Sequence, residues 1–357
     1  MARRPRRGSD PLDARSGAIL RAVIDEYVTS AVPVSSSALV EHYPLGVSSA
    51  TVRSILAELE AQGLLTHPHT SAGRMPTDAG YRYYVQVLAD DLSLPIVEQR
   101  MIRHQFGQVE FLSEQWFRLA ASTLAANTGT AGLATTAKPV AARVRRVELL
   151  SVQDRLALMI VVFREGTTKQ VLHSLPASAD QEELSRLASL LNVLAVDRTA
   201  DEIEAALADL PPEGPSGDES ATLRQVGERL VRAMREFDAT TIDDLFSDGL
   251  LNVMAAPEFD RSSKVRQVFA ALENKAYLGS LVEAVSRAGS IQIFIGHENM
   301  PLEMQEVSLI LAPYGRVGGA VGVVGVLGPT RMPYPQAIAS VEFVSGLMDE
   351  LVEHLYA

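Results

Sequence analysis

The stretch from Val47 to Leu65 admits few arrangements. Val52, Ile55, Leu56 and Leu59 fall at i, i+3, i+4 and i+7 and form one apolar stripe that only neighbouring helices can bury. The opposite face is Ala50, Arg53, Ser54 and Ala57. Small residues around one arginine let such a face approach a flat polyanion while the guanidinium reaches outward. No acid lies three or four residues to either side of Arg53, so it has no partner on its own helix. Ser48 or Ser49 can cap the first turn, where free amides offer a place for a phosphate. Glu58 and Glu60 lie toward the other end. On this stretch alone an ordinary amphipathic helix with a solvated face fits equally well, and the flanks decide between the two.

Upstream, Ile19, Leu20, Val23, Ile24, Tyr27 and Val28 trace a helix face that stops before Pro33. A short helix begins near Ser35–Ser37 and ends at Pro44-Leu45-Gly46. Helix, short helix, tight turn and amphipathic helix is the helix-turn-helix order. Downstream, Leu64-Leu65-Thr66 reads as a strand, Thr70-Ser71-Ala72-Gly73 as a turn, and Arg74-Met75-Pro76 as the returning strand, which together make a wing. Thr77 then caps a helix carrying Tyr81, Tyr84, Val85 and Leu88. Six residues of the reading helix form one half of the candidate DNA-contacting set: Ser48, Ser49, Ala50, Thr51, Arg53 and Ser54. His67, His69, Thr70, Ser71, Gly73 and Arg74 of the wing form the other half, with Arg74 holding the DNA backbone. An arm with Arg3, Arg4, Arg6 and Arg7 precedes the module and reads either as a phosphate or minor-groove contact or as a solvated tail.

These residues resemble the HrcA heat-inducible transcription repressors of bacteria. The resemblance rests on Ser49-Ala50-Thr51-Val52-Arg53, Leu59-Glu60, Gly63-Leu64-Leu65, the wing from His67 through Arg74, and Gly80-Tyr81-Arg82-Tyr83-Tyr84-Val85. Ser54 departs from it, standing where the family usually has asparagine, and the arginine-rich start is longer than is usual. Farther on, the resemblance is carried by Ile295-Gly296-His297-Glu298-Asn299, Ser308-Leu309-Ile310 and Gly328-Pro329-Thr330-Arg331-Met332-Pro333-Tyr334.

After a linker at Asp90–Pro95, Ile102, Phe106, Val109, Trp116, Phe117 and Leu124 read as one long helix interrupted only at Gly107, and Gly129–Pro139 as loop. Strands at Arg143–Val152, Leu156–Phe163 and Thr167–Leu175 make a meander. Helical periods follow from Asp180 to Ala288, broken by the Pro/Gly-rich run Pro211–Gly217. Strands return at Ser290–Gly296, Val307–Pro313 and Gly319–Leu327, before a last helix from about Tyr334 with Ile338, Val341, Met348, Leu351 and Leu355 inward. The simplest reading is one antiparallel sheet with a domain inserted in it. The expected class is α+β: a winged helix-turn-helix at 1–92, a sheet domain at 93–178 and 289–357, and a mostly helical insert at 179–288. The resemblance implies that the sheet domain is GAF-like and the insert dimerising.

Charge limits where a polyanion could bind. The net charge is −12, yet residues 1–82 hold nine arginines against eight acids, while 177–288 hold 21 acids against 11 bases. DNA contact is therefore expected at one end and sensitive to salt. The absence of cysteine rules out disulfides, thiolate zinc sites and cysteine nucleophiles, and fits a cytoplasmic protein. Apolar runs are strand length, so no membrane span is expected, and the basic start lacks the apolar run of a secretory signal.

No catalytic constellation is visible, because no serine or carboxylate pair has a base beside it. No metal or cofactor is expected. His67 and His69 lack a third ligand. The glycines from Gly315 to Gly328 lack both the GxGxxG and the Gly-Lys-Ser/Thr arrangement. Arg331 reads as an internal ion pair that orders its turn.

The leading reading is a dimer whose two heads bind an inverted-repeat operator in double-stranded DNA. The resemblance implies that the operator lies before chaperonin operons and that a GroEL-type chaperonin keeps the repressor active. Two alternatives stay open: a winged-helix repressor controlled by a small ligand in the sheet domain, and an enzyme or ligand carrier whose N-terminal domain mediates protein contacts.

Overall fold

The structure, a computed structural model, describes residues 12–69, 73–89, 93–109, 113–139, 141–164, 167–210, 217–239, 245–259, 262–315 and 320–356. It is α+β with antiparallel sheets and divides into two compact units. One gathers the described residues of Met1–Thr136, Asp244–Pro313 and Val323–Met348; the other gathers those of Ala137–Asp243, Tyr314–Gly322 and Asp349–Ala357.

The first unit begins with a helical module. Helix α1 (Ala14–Ser30) starts where Asp13 Oδ1 accepts the Ser16 amide at 2.7 Å, and it ends at Ala31 in the left-handed region with φ 56°. Helix α2 (Ser36–His42) is capped by Ser35, and α3 (Ser49–Ala61) by Ser48. Val52, Ile55, Leu56 and Leu59 are buried as the periodicity requires. Each such side chain contributes about 1.5–3 kcal/mol through burial. Strands β1 (Leu65–Thr66) and β2 (Met75–Pro76) pair antiparallel, Leu65 with Pro76 and Thr66 with Met75. Thr77 caps α4 (Asp78–Tyr83), which widens into a π-helical turn over Tyr84–Leu88.

The expected single long helix is two, α5 (Ile96–Gly107) and α6 (Ser113–Thr128), with α5 ending at the glycine that interrupts the pattern. The expected loop at 129–139 holds strands β3 (Ala131–Thr135) and β4 (Lys138–Pro139). Small residues there look like loop in sequence, but they allow close packing. A Cβ on Gly132 would lie 1.9 Å from the Ala121 carbonyl oxygen of α6.

Within the second unit, β5 (Val144–Gln153), β6 (Leu156–Phe163) and β7 (Thr168–Ser174) form a separate three-stranded sheet in that order. The expectation of one sheet spanning residues 143 to 327 is thus corrected. Alternation in β6 supplies one inward face, Ala157, Met159, Val161 and Phe163, all at 0% exposure. The helices next in sequence cover it: α7 (Gln181–Ala195), α8 (Ala200–Ala208) and α9 (Gly217–Ala239). Capping boxes at Asp180/Glu183 and Thr199/Glu202 start α7 and α8. Phe163 stacks on Phe237 of α9 at 4.2 Å between centroids.

The chain returns to the first unit through β8 (Leu245–Asp248), a strand inside the interval expected to be helical, which pairs with β3. Helices α10 (Leu250–Met254), α11 (Ser262–Glu273) and α12 (Lys275–Ala288) follow. The compact division therefore crosses the expected insert at 179–288: the meander goes with α7–α9, and residues 244–288 go with the other sheet. That sheet is completed by β9 (Gln292–Ile295), β10 (Val307–Gly315) and β11 (Ala320–Pro329), in the order β8-β3-β11-β10-β9 with β4 also on β11. Strands β10 and β11 are buried along nearly their whole length, as expected of strands covered on both faces. The last helix, α13 (Tyr334–Tyr356), buries Ile338, Val341, Met348 and Leu351.

His173 of β7 gives the second unit a pH dependence. It is 8% exposed, and its Nε2 has no hydrogen-bond partner among the described residues. Burial, and then the Arg229 charge, hold its pKa below the ordinary imidazole value. A depressed folded pKa stabilises above the unfolded value of about 6.5, and that contribution is lost as pH falls through the folded one. We expect the denaturant midpoint of the wild type to fall on acidification below about pH 6.5 more steeply than that of His173→Gln. Equal slopes would show that this histidine contributes nothing.

Candidate DNA interface

The α3 helix presents the expected face. Ala50, Arg53, Ser54 and Ala57 are all exposed, and Arg53 makes no ion pair with a described residue. Ser49 and Thr51 are half-buried at the start of the helix. Ser48 Oγ accepts the Thr51 amide at 3.2 Å and lies 3.0 Å from the Thr51 hydroxyl, while the Ser49 hydroxyl meets that of Ser36 on α2 at 3.2 Å. The amides of Ser49 and Ala50 precede the first intrahelical bond and point past the helix end. At this end α3 therefore combines amides outside the intrahelical ladder, small side chains and a guanidinium with no ion pair among the described residues, a chemistry that suits phosphate and base edges.

The ribbon residues divide differently. Glu60, on the last turn of α3, takes both His67 and Arg74: its Oε1 meets His67 Nδ1, and its Oε2 lies 2.7 Å from Arg74 Nη2. The Arg74 backbone exchanges two hydrogen bonds of 2.8 Å with Val34, in the link between α1 and α2. Gly73 lies so close that a Cβ would sit 2.5 Å from the Pro33 carbonyl oxygen, so only glycine fits there. His67, Gly73 and Arg74 thus brace the ribbon against the helices, while His69 is exposed. Thr70 and Ser71 lie outside the described residues. Sequence reading missed Glu60 as the organiser of the ribbon. Its partners are 7 and 14 residues away across a turn, beyond any helical periodicity.

Arg331 makes the expected internal ion pair, its Nε 2.7 Å from Glu258 Oε1, and also donates from Nη1 to the Val28 carbonyl at 2.6 Å. Burial, followed by nearby tyrosines and Glu258, pushes the Tyr81 hydroxyl well above its ordinary pKa, so it stays neutral. The described residues contain no group of three or more His, Asp or Glu able to hold a metal ion. No described helix is long and apolar enough to cross a membrane.

Comparison with known proteins gives this geometry a context. A family model described as the HrcA protein C terminal domain matches residues 114–338. Among relatives named heat-inducible transcription repressor HrcA, that of Roseiflexus castenholzii is 42% identical over 346 residues, covering 97% of this chain and 96% of its own. The relative from Chloroflexus aurantiacus is 39% identical, with 98% and 96% covered, and that from Thermomicrobium roseum 38% identical, with 96% of each covered. A crystal structure of a hypothetical protein at 2.2 Å resolution shares the fold, with TM-score 0.59 and 21% identity over 97% of this chain and 100% of that one. With the family model matching more than half of the chain, and such relatives matching nearly all of it, the chain belongs to the HrcA family of heat-inducible transcription repressors.

Proposed function

We propose that the chain represses chaperone genes by binding an inverted-repeat operator as a dimer, and that a GroEL-type chaperonin in the cytoplasm keeps it active. In this reading the N-terminal module is a winged helix-turn-helix, α3 enters the major groove, and the β1–β2 ribbon is the wing. The larger sheet with its helices is the GAF-like domain. The observation that carries the reading is the exposed Ala50–Arg53–Ser54–Ala57 face, whose arginine has no ion pair among the described residues, in a chain of the repressor family.

The resemblance implies a dimerising insert at 179–288; beside its helices α7–α9, which pack on the inner face of the β5–β6–β7 sheet, we place the dimer contact on the outer face of that sheet. Leu150, Leu158 and Leu172 face one another across the three strands, and Leu150 and Leu172 are 42% and 58% exposed. Leu156, Ile160 and Val162 extend the patch along β6 and are only half-buried. A second copy meeting this row across a two-fold axis would cover it, and an inverted repeat demands that axis.

Heat enters through folding. A chaperonin that binds non-native repressor and releases it folded raises the active fraction by mass action, and heat-damaged proteins compete for it. The test is a mobility shift on an inverted-repeat duplex at several salt concentrations, after warming with or without chaperonin and nucleotide. Binding should weaken steeply with salt, fall after warming alone and recover with chaperonin. Full recovery without chaperonin would overturn the mechanism.

A further inference from the structure

Three segments far apart in sequence meet where the helical module joins the rest of the first unit. Arg82 on α4 donates from Nε to Glu298 Oε1 at 2.8 Å, from Nη2 to Glu298 Oε2, and from Nη2 to the Ile293 carbonyl of β9 at 2.6 Å. One turn earlier on α4, Asp78 Oδ2 accepts the His297 amide at 2.8 Å and lies 2.7 Å from His297 Nδ1. Gly296, between β9 and these partners, has φ +52°, and a Cβ there would fall 2.3 Å from the Asp78 carboxylate. On the α1 side, Arg331 grips the Val28 carbonyl in the last turn of that helix, where an unsatisfied carbonyl favours a cation. Its other contact, Glu258, is partly buried. Tyr81 and Tyr334 meet between the two grips, with ring centroids 5.5 Å apart.

Ion pairs of this exposure add little to stability, and polar junctions within a chain ordinarily permit motion between their parts. A two-pronged arginine contact contributes direction instead, because both N–H···O bonds form at only one orientation of the guanidinium. Arg82 makes such a contact between α4 and Glu298, and Arg331 ties α1 by one bond to the Val28 carbonyl while its Nε holds Glu258, so the module is held at two separate points. We propose that Arg82 with Asp78 on the Gly296–Glu298 turn, and Arg331 on Val28, form a latch that sets the direction in which α3 points. Glu298 and Arg331 are then positioning residues for the separation of the two operator half-sites. The spacing part of this inference rests on the operator reading above. The orientation part does not.

The chain has no cysteine, so exposed Glu41 and Glu303 can be changed to cysteine and spin-labelled in the full-length protein. With labelled protein diluted into an excess of unlabelled protein, so that only distances within one protomer are read, pulsed dipolar spectroscopy should give one narrow distance distribution in the wild type, and one at least about twofold broader when Glu298→Gln is combined with Arg331→Gln. A broad wild-type distribution, or an unchanged one in the variant, overturns the latch. On duplexes selected by the wild type from a randomised pool, the double variant should bind a single half-site within about twofold of wild type. Its preference for the selected spacing over one altered by two base pairs should drop from about tenfold to below threefold. Parallel loss of single-half-site binding would make these residues merely structural and overturn their positioning role. A wild type that selects no two-half-site duplex would overturn the operator reading and the spacing role, while the label distances still decide the latch.

Discussion

Arg53→Ala should bind the operator on the order of 30-fold to 20,000-fold more weakly than wild type while melting at the same temperature. Loss of one good base contact costs about 1–3 kcal/mol, and a symmetric dimer loses it twice. At about 1.4 kcal/mol per tenfold, that gives the range stated. Arg53 is exposed and unpaired among the described residues, so its removal leaves no buried partner behind. Arg74→Ala should behave differently, although the sequence places it with Arg53 as a DNA contact. Its guanidinium lies on Glu60, so truncation frees a partly buried carboxylate and loosens the ribbon. A lower melting temperature should accompany whatever binding it loses. Fluorescence anisotropy on a labelled duplex, beside thermal melts, separates the two. Wild-type affinity in Arg53→Ala would remove α3 from the interface.

Leu158→Asp should convert the protein to a monomer in sedimentation and lower operator affinity on the order of 100-fold or more, since binding two linked half-sites gains a factor of about 10² to 10⁴ over one. Leu158 points out of the sheet between Leu150 and Leu172, whereas the inward residues of β6 are Ala157, Met159, Val161 and Phe163. A carboxylate at its position leaves the core intact and sets two like charges against each other in a dimer that uses this face. Unchanged circular dichroism would confirm that the fold survives. A variant that remains a dimer would move the interface to another surface.

What could be read in the sequence was local. The stripe of α3, the start of α2 near Ser35, the capping of α3 by one of Ser48 and Ser49, and the cap Thr77 stand where the residues imply, because each depends on neighbours within a turn or two. The three strands of the meander were legible for the same reason. Which sheet they joined was not, since alternation marks an apolar face without naming what covers it. Strand β3 was missed because Ala131, Gly132 and Ala134 carry no β-branched bulk, their smallness serving the contact with α6. Within the site, the exposed arginine could be inferred from missing helical neighbours. The inward turn of Arg74 and the bond of Arg82 to a carboxylate 216 residues away could not.

The most direct measurement is a hydroxyl-radical footprint of the full-length protein on a duplex carrying the inverted repeat that precedes a chaperonin operon, run beside Arg53→Ala at equal concentration. The account predicts two protected patches related by a two-fold axis, with centres one helical turn of about 10–10.5 base pairs apart or a multiple of it, and both absent in the variant. Protection that survives in Arg53→Ala, or a single patch without symmetry, would contradict it.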